Sequence, residues 1–276
     1  MITGAAGTIG SALANRIASL RPKQLVLLDN NESGLFEIYE EVKEKCNVDY
    51  VIADIRDNEW IEEVFKKYKP DIVYHTAAYK HVVLMEKYPD EAYRVNCDGL
   101  LHIVHSSIRN GTKKFIFIST DKAVNPISVM GKSKKYGETF CLSLKDAVTK
   151  FIVVRFGNVM ASRGSVIPIW QKAIQENKDL IVTDKKMKRY FMGIYEAVDL
   201  ILEATRLGKG GEIFVLDMGK QILIEDLAKM MIKLSGKDLK IKYTKPSKGE
   251  KFDESLMTEE EVKRSVKRGK LFIIKS

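Results

Sequence analysis

The 276-residue sequence predicts an α/β fold, a doubly wound parallel sheet with a smaller C-terminal lobe. Three observations predict it. Apolar, β-branched runs alternate with stretches of helical periodicity across residues 25–156. Three glycines at three-residue spacing, in Gly4-Ala5-Ala6-Gly7-Thr8-Ile9-Gly10, stand near the start. Polar residues gather directly after the apolar runs, where open α/β sheets bind ligands.

The elements follow in order. Residues 11–20 read as a helix after the glycine turn, whose spacing allows close approach of backbone to a pyrophosphate at the helix N-terminus. Residues 25–28 form a strand ending in Asp29, 19 residues past Gly10. An acid there can take both ribose hydroxyls of an adenosine and repels a 2′-phosphate, which favours NAD over NADP. A parallel strand of about five residues ordinarily precedes the first glycine, yet only Met1, Ile2 and Thr3 stand there. The expectation is a truncated first strand or a stub, with restored upstream residues raising the melting temperature; an unchanged value counts against it.

Residues 31–45 read as a helix with Leu35, Ile38, Tyr39 and Val42 on one face. Residues 50–53 are a strand ending in Asp54, and 59–68 a helix carrying Ile61, Val64 and Phe65. The strand 71–75 runs out into Thr76-Ala77-Ala78, small residues on which a dinucleotide can lie. A single helix over 89–110 holds Asn96 near its middle. The run 115–118 is a buried central strand that breaks into Ser119, Thr120, Asp121 and Lys122. Met130 and Lys134 then share one face of the next helix, which Tyr136, Phe140, Leu144 and Val148 continue with core periodicity. Residues 151–156 are a further buried strand. Beyond it come a loop over 157–165, a helix over 166–176, a strand-like piece at 187–192, and helices 195–206 and 224–234 flanking a strand at 212–216. Residues 1–156 thus read as a dinucleotide-binding domain of Rossmann type. Residues 157–276 read mainly as a substrate lobe, with 193–216 returning to the core.

Composition sets the bounds. The net charge is +9, from 46 basic and 37 acidic residues, and 45% of the chain is hydrophobic. Scattered basicity suits an anionic small ligand, an acidic membrane surface, nucleic acid, or a merely solvated lysine-rich surface. No aromatic and basic platform supports a nucleic-acid partner. Cys46, Cys97 and Cys141 show no CxxC spacing and read as thiols of a reducing compartment. No apolar run approaches about 18 residues and no signal-like start is present. The expected location is cytoplasmic, with peripheral association at the inner membrane face left open. His75 and His81 have no partner at ligand spacing, and His102 and His105 lack a third ligand, so no metal is assigned.

TGAAGTIG, LLDNNES, HTAAYKHVVLME, STDKAVNP, VMGKSK, VRFGNV, RGSVIP, KRYFM and GEKFDESL occur in that order. The set resembles the extended short-chain dehydrogenase/reductases, and within them the CapD-like UDP-N-acetylglucosamine 4,6-dehydratases of polysaccharide biosynthesis. The superfamily usually carries Tyr-x-x-x-Lys. Met130 stands where the Tyr belongs, and a thioether moves no proton, so by itself it reads as a packing residue. A membrane-associated subgroup is similar in having Met there; its long forms carry spanning helices upstream. Ser247-Lys248-Gly249-Glu250 departs from the Arg-Pro-Gly-Glu pattern of the family.

The resemblance implies Thr120, Asp121, Lys122, Met130 and Lys134 as catalytic positions. Lys122 would act as base at C5 of the sugar if nearby positive charge favours its free amine, and Asp121 as acid at O6. Turn capping and a solvated surface are the plain alternatives for that pair. The resemblance further implies cofactor contacts from Gly4, Gly7, Thr8, Ile9, Gly10, Asp29, Asp54, Ile55, Ala77, Ala78, Asn96 and Lys134. Substrate contacts would come from Lys80, Asn158, Arg163, Ser165, Val166, Arg189 and Glu250, with the two arginines suited to a diphosphate. It implies a cycle of C4 oxidation by bound NAD, loss of water across C5 and C6, and hydride return to C6, in a homo-oligomer acting on a UDP-sugar. A UDP-hexose 4-epimerase needs only the first step. An NAD-binding sensor that has lost turnover is the alternative from another class.

Overall fold

The computed structural model describes residues 1–275. A nine-stranded sheet forms the centre of the described residues, and its first six strands run parallel in the order β3, β2, β1, β4, β5, β6. These are β1 (Ile2–Thr3), β2 (Leu25–Asp29), β3 (Val48–Ile52), β4 (Ile72–His75), β5 (Lys114–Thr120) and β6 (Lys150–Phe156). β1 is a stub of two residues, yet it is hydrogen-bonded on both sides, with Thr3 in register with Leu28 and His75. The strand order reverses at β1 and β4, which opens a crevice at their carboxyl ends. Past β6 the sheet takes Glu212–Leu216 in parallel, then Leu271–Lys275 and Ser265–Arg268 antiparallel. The C-terminal residues therefore return to the sheet, a second return besides that at 212–216.

Two apolar clusters cover the two faces of the sheet. One joins Leu13, Ala14 and Leu35 to Ile116 and Ile152; the other joins Phe65, Leu100 and Ile103 to Phe115, Phe117 and Phe151. Burial on both faces explains why the strands read as unbroken apolar runs rather than alternating ones. A separate cluster around Trp170, Leu180, Val182, Ile224 and Leu227 is the core of the smaller lobe. Among the described residues, no helix is long and apolar enough to cross a membrane.

Two helices differ from expectation. The single helix over 89–110 is instead Pro89–Tyr93, a π-helical segment Arg94–Gly99, and Leu100–Arg109, preceded by a short helix Val82–Lys87. The wider turn brings Asn96 inward. Its side chain accepts from Tyr79 N and donates to Tyr79 O and to Ser133 Oγ, at 2.8, 3.0 and 2.9 Å. Polar demand at one position thus overrides regular helix geometry. The helix expected to reach Val148 is Val129–Ser143, and Val148 is 91% exposed. Its inward face is Met130, Ser133, Lys134, Gly137, Glu138 and Cys141, while Tyr136 lies outside. Phe140 and Leu144 do pack, partly buried, against the core, but Tyr136 and Val148 point outward because the face of this helix that is fully buried carries charged and small groups. Gly137 is required there, since a Cβ would stand 2.4 Å from the Phe117 ring.

Candidate active site

The glycine turn leaves the end of β1 as a cradle. Gly4 has φ +71°, and a Cβ on it would meet Ala77 N at 2.5 Å; one on Gly10 would meet Gly4 O at 2.1 Å. Only glycine lets the turn, the helix Thr8–Ala18 and the Thr76-Ala77-Ala78 segment approach this closely. Gly7 caps that helix without a side-chain bond, so the N–H groups of Thr8 and Ile9 face outward with the positive end of the helix. A cavity of about 280 Å³ follows, lined among others by Gly4, Gly7, Asp29, Asp54, Ile55, Ala77, Ala78 and Arg163. Asp29 sits at its edge, its two oxygens accepting from Ala6 N and Asn31 N at 2.9 Å each. Arg56 grips Asp54 at 2.7 Å, and that bond holds the carboxyl below its usual range. Glycines, amides and an oriented acid in this sequence fit a dinucleotide.

Several expected contacts fall elsewhere. Arg163 stands on the dinucleotide side: its guanidinium donates to Ala6 O at 2.7 Å and its N–H to Thr8 Oγ1 at 3.1 Å. Lys80 Nζ donates to Arg163 O at 2.8 Å, which ties this loop down. Asn96 is 2% exposed and acts through the backbone it pins. Glu250 accepts from Ser247 N and closes its own turn. Ser165 caps the helix Val166–Gln175 without a side-chain bond. Arg189 lies half-buried with its guanidinium on the carbonyls of Lys188 and Phe252.

The reactive groups gather where β5 ends. A 3-10 turn over Asp121–Ala123 places Lys122 Nζ 3.0 Å from Asp121 Oδ1, and Thr120 Oγ1 donates to the same oxygen at 2.9 Å. Asn158 Oδ1 lies 3.5 Å from the ammonium. Asp121 is fully buried and its Oδ2 has no partner. Gly157 makes room for that oxygen, because a Cβ there would sit 3.0 Å from it. The next helix starts against this turn: Ser128 Oγ accepts from Gly131 N and Glu86 Oε1 from Val129 N, while Gly131 lets the backbone pass the Lys122 carbonyl. Lys134 is 7% exposed with its ammonium 4.2 Å from the centre of the Phe117 ring. Burial pulls its pKa down to about 8. Met130 packs with Met85 and Ala92, and Ser119 donates to Glu138.

The family description "polysaccharide biosynthesis protein" matches residues 1–276. The chain belongs to that family. It is 43% identical to the capsular polysaccharide biosynthesis protein CapD of Staphylococcus aureus over 271 residues, 95% of this chain and 45% of CapD. A Rickettsia akari relative named UDP-glucose 4-epimerase is 36% identical over 273 residues, 95% of this chain and 78% of that one. The solved structure of Pen from Bacillus thuringiensis superposes with a TM-score of 0.94 at 35% identity, covering 100% of this chain and 88% of Pen. The chain therefore spans less than half of CapD, and the CapD-like resemblance read from the motifs holds for that span.

Two buried charged groups, Glu254 beside Lys122 and Arg155 in the core behind the site, carry no assignment from the sequence. Glu254 is 3% exposed, with Oε1 3.8 Å from Lys122 Nζ; its one signal is its place as the last of three acids in GEKFDESL. Arg155 is fully buried on β6 and bonds both Glu138 and Glu261. An arginine inside an otherwise apolar strand was the signal there.

Proposed function

We propose that this chain is an NAD-dependent 4,6-dehydratase that converts UDP-N-acetylglucosamine to a UDP-4-keto-6-deoxy sugar. The observation that carries it is the Asp121 and Lys122 pair, an acid and an amine 3.0 Å apart and largely withdrawn from solvent at a ligand-binding strand end. The fit of the cradle to a dinucleotide and the membership of the family support it. A dinucleotide held in the cradle would supply the hydride acceptor at C4 and the donor at C6. Asp29 favours the form without a 2′-phosphate.

Lys134 takes the O4 proton as C4 becomes a ketone; its pKa near 8 populates the free amine close to neutrality. The ketone makes the C5 proton acidic. Lys122 accepts that proton while Asp121 gives one to O6, so the C6–O6 bond breaks and water leaves. A single proton shared along the Nζ and Oδ1 contact prepares both groups, since its transfer to Asp121 leaves Lys122 a free amine. Lys122, whose ammonium exchanges with solvent, then protonates C5 as hydride reaches C6, and the O4 proton held on Lys134 passes through water to Asp121, which resets all three groups. Substrate and product differ by one water, and the redox change is internal. The missing tyrosine is thus replaced by a desolvated lysine.

The Rickettsia akari name favours a second reading, a 4-epimerase, which needs no acid and base at C5 and C6. Incubation with UDP-N-acetylglucosamine in heavy water decides between them. The expected product is lighter than substrate by one water and carries deuterium at C5. An isomer without deuterium overturns the dehydratase reading.

A further inference from the structure

Glu254 has no part in the chemistry above, and its surroundings are unusual. Its Oε2 is buried without a hydrogen-bond partner, as is Asp121 Oδ2, and an unpaired buried carboxylate oxygen is costly unless something at the site uses it. Its Oε1 faces Lys122 Nζ at 3.8 Å. The backbone around it is anchored independently of that charge. Gln221 donates its side-chain amide to Glu254 O, Phe252 O accepts from Lys188 N at 2.9 Å, and Lys251 Nζ donates to Val124 O at 2.7 Å. The segment is thus pinned to both the lobe and the β5 turn, and the carboxylate is free to serve Lys122.

We propose that Glu254 is a positioning residue for Lys122, holding the amine toward C5 and steadying the positive charge it gains when it takes the C5 proton. This rests on Lys122 being the C5 base. A fixed carboxylate near a nitrogen whose charge grows in the transition state lowers the barrier of that step, because the field is in place before the charge appears. The groups facing Glu254 are Lys122 and Asp121 from the β5 turn, Arg189 from the lobe and Lys251 from its own segment, with Tyr190 beside Asp121. Burial pushes the Glu254 carboxyl above its ordinary value, with Lys122 pulling against it and Asp121 adding to it.

Glu254→Gln removes the charge and keeps the shape and the backbone anchors. With UDP-N-acetylglucosamine the expected result is a kcat lower by roughly 10- to 100-fold and a KM changed by less than about twofold. Substrate deuterated at C5 should show a larger isotope effect on kcat than in the parent, because C5 deprotonation is the slowed step. Glu254→Asp should restore part of the rate, and it carries the test alone if the Gln variant does not fold. A parental kcat, or a lowered kcat with an unchanged isotope effect, overturns the proposal, since a merely structural role moves neither toward the C5 step. Lys122→Ala run alongside separates the two ideas: product formation there removes Lys122 as base, whereas an inactive Lys122→Ala with a parental Glu254→Gln removes only the role of Glu254.

Discussion

Lys122→Ala is expected to lower turnover of UDP-N-acetylglucosamine by roughly 10²- to 10⁴-fold, the range spanned by one general acid or base. The dinucleotide should stay bound, because its cradle is built by the glycine turn, Asp29 and the Thr76-Ala77-Ala78 segment, none of which the Lys122 side chain touches. The C4 step should still run, so mixing substrate with the variant should leave the nicotinamide reduced, read by its absorbance. Asp121 keeps its bond from Thr120 in the variant, which limits the structural damage. Product formation at the parental rate would remove Lys122 from the chemistry. An inactive parent chain that nevertheless holds NAD would favour the sensor reading.

Arg155→Met is expected to cost about 3–5 kcal/mol of stability, the penalty for leaving buried charges without their partner. Thermal unfolding should show it as a fall of roughly 10 °C in Tm. Arg155 is 0% exposed, and its guanidinium makes five bonds: two to Glu138, two to Glu261 and one to Leu256 O. Removing it strands two carboxylates in the interior. Burial raises the Glu261 pKa, but the bonds from Arg155 outweigh that and hold it below its ordinary value. A depressed carboxyl contributes stability that is present at neutral pH and lost as pH falls through the folded-state value. The parent should therefore lose stability in acid, and the variant should lose less of it there. Leu256 stands two residues past Glu254, so the same substitution loosens the segment that faces Lys122. A Tm within a degree or so of the parent would show that the cluster is not held as a unit.

The readable parts of the site were those whose signal is local. Gly4, Gly7 and Gly10 are legible because a tight turn and a close backbone approach demand glycine wherever they occur. Asp29 is legible because it ends an apolar run at a fixed distance from them. Asp121 and Lys122 stood out as charges breaking a buried strand, and they meet at 3.0 Å where β5 ends. Arg163 was harder. Its type suggested a diphosphate, but where its loop folds is set by Lys80 and Thr8, far away in the chain. Tyr136 and Val148 misled because apolar spacing marks the inward face only when the interior is apolar. Here the Val129–Ser143 helix turns Lys134 and Glu138 inward, toward Phe117 and Arg155.

The sequence by itself determined the alternation of strands and helices, the parallel sheet, the dinucleotide cradle and the acid and amine after β5. Each of these depends on side-chain period, turn chemistry or neighbours a few residues apart. Only the tertiary structure decided which distant groups share one small volume: Glu254 with Lys122, Arg155 with Glu138 and Glu261, and Arg163 with the glycine turn. The physical reason is that electrostatic partnership depends on distance in space and on burial. Both are set by how segments far apart in the chain pack against one another, which no local pattern encodes.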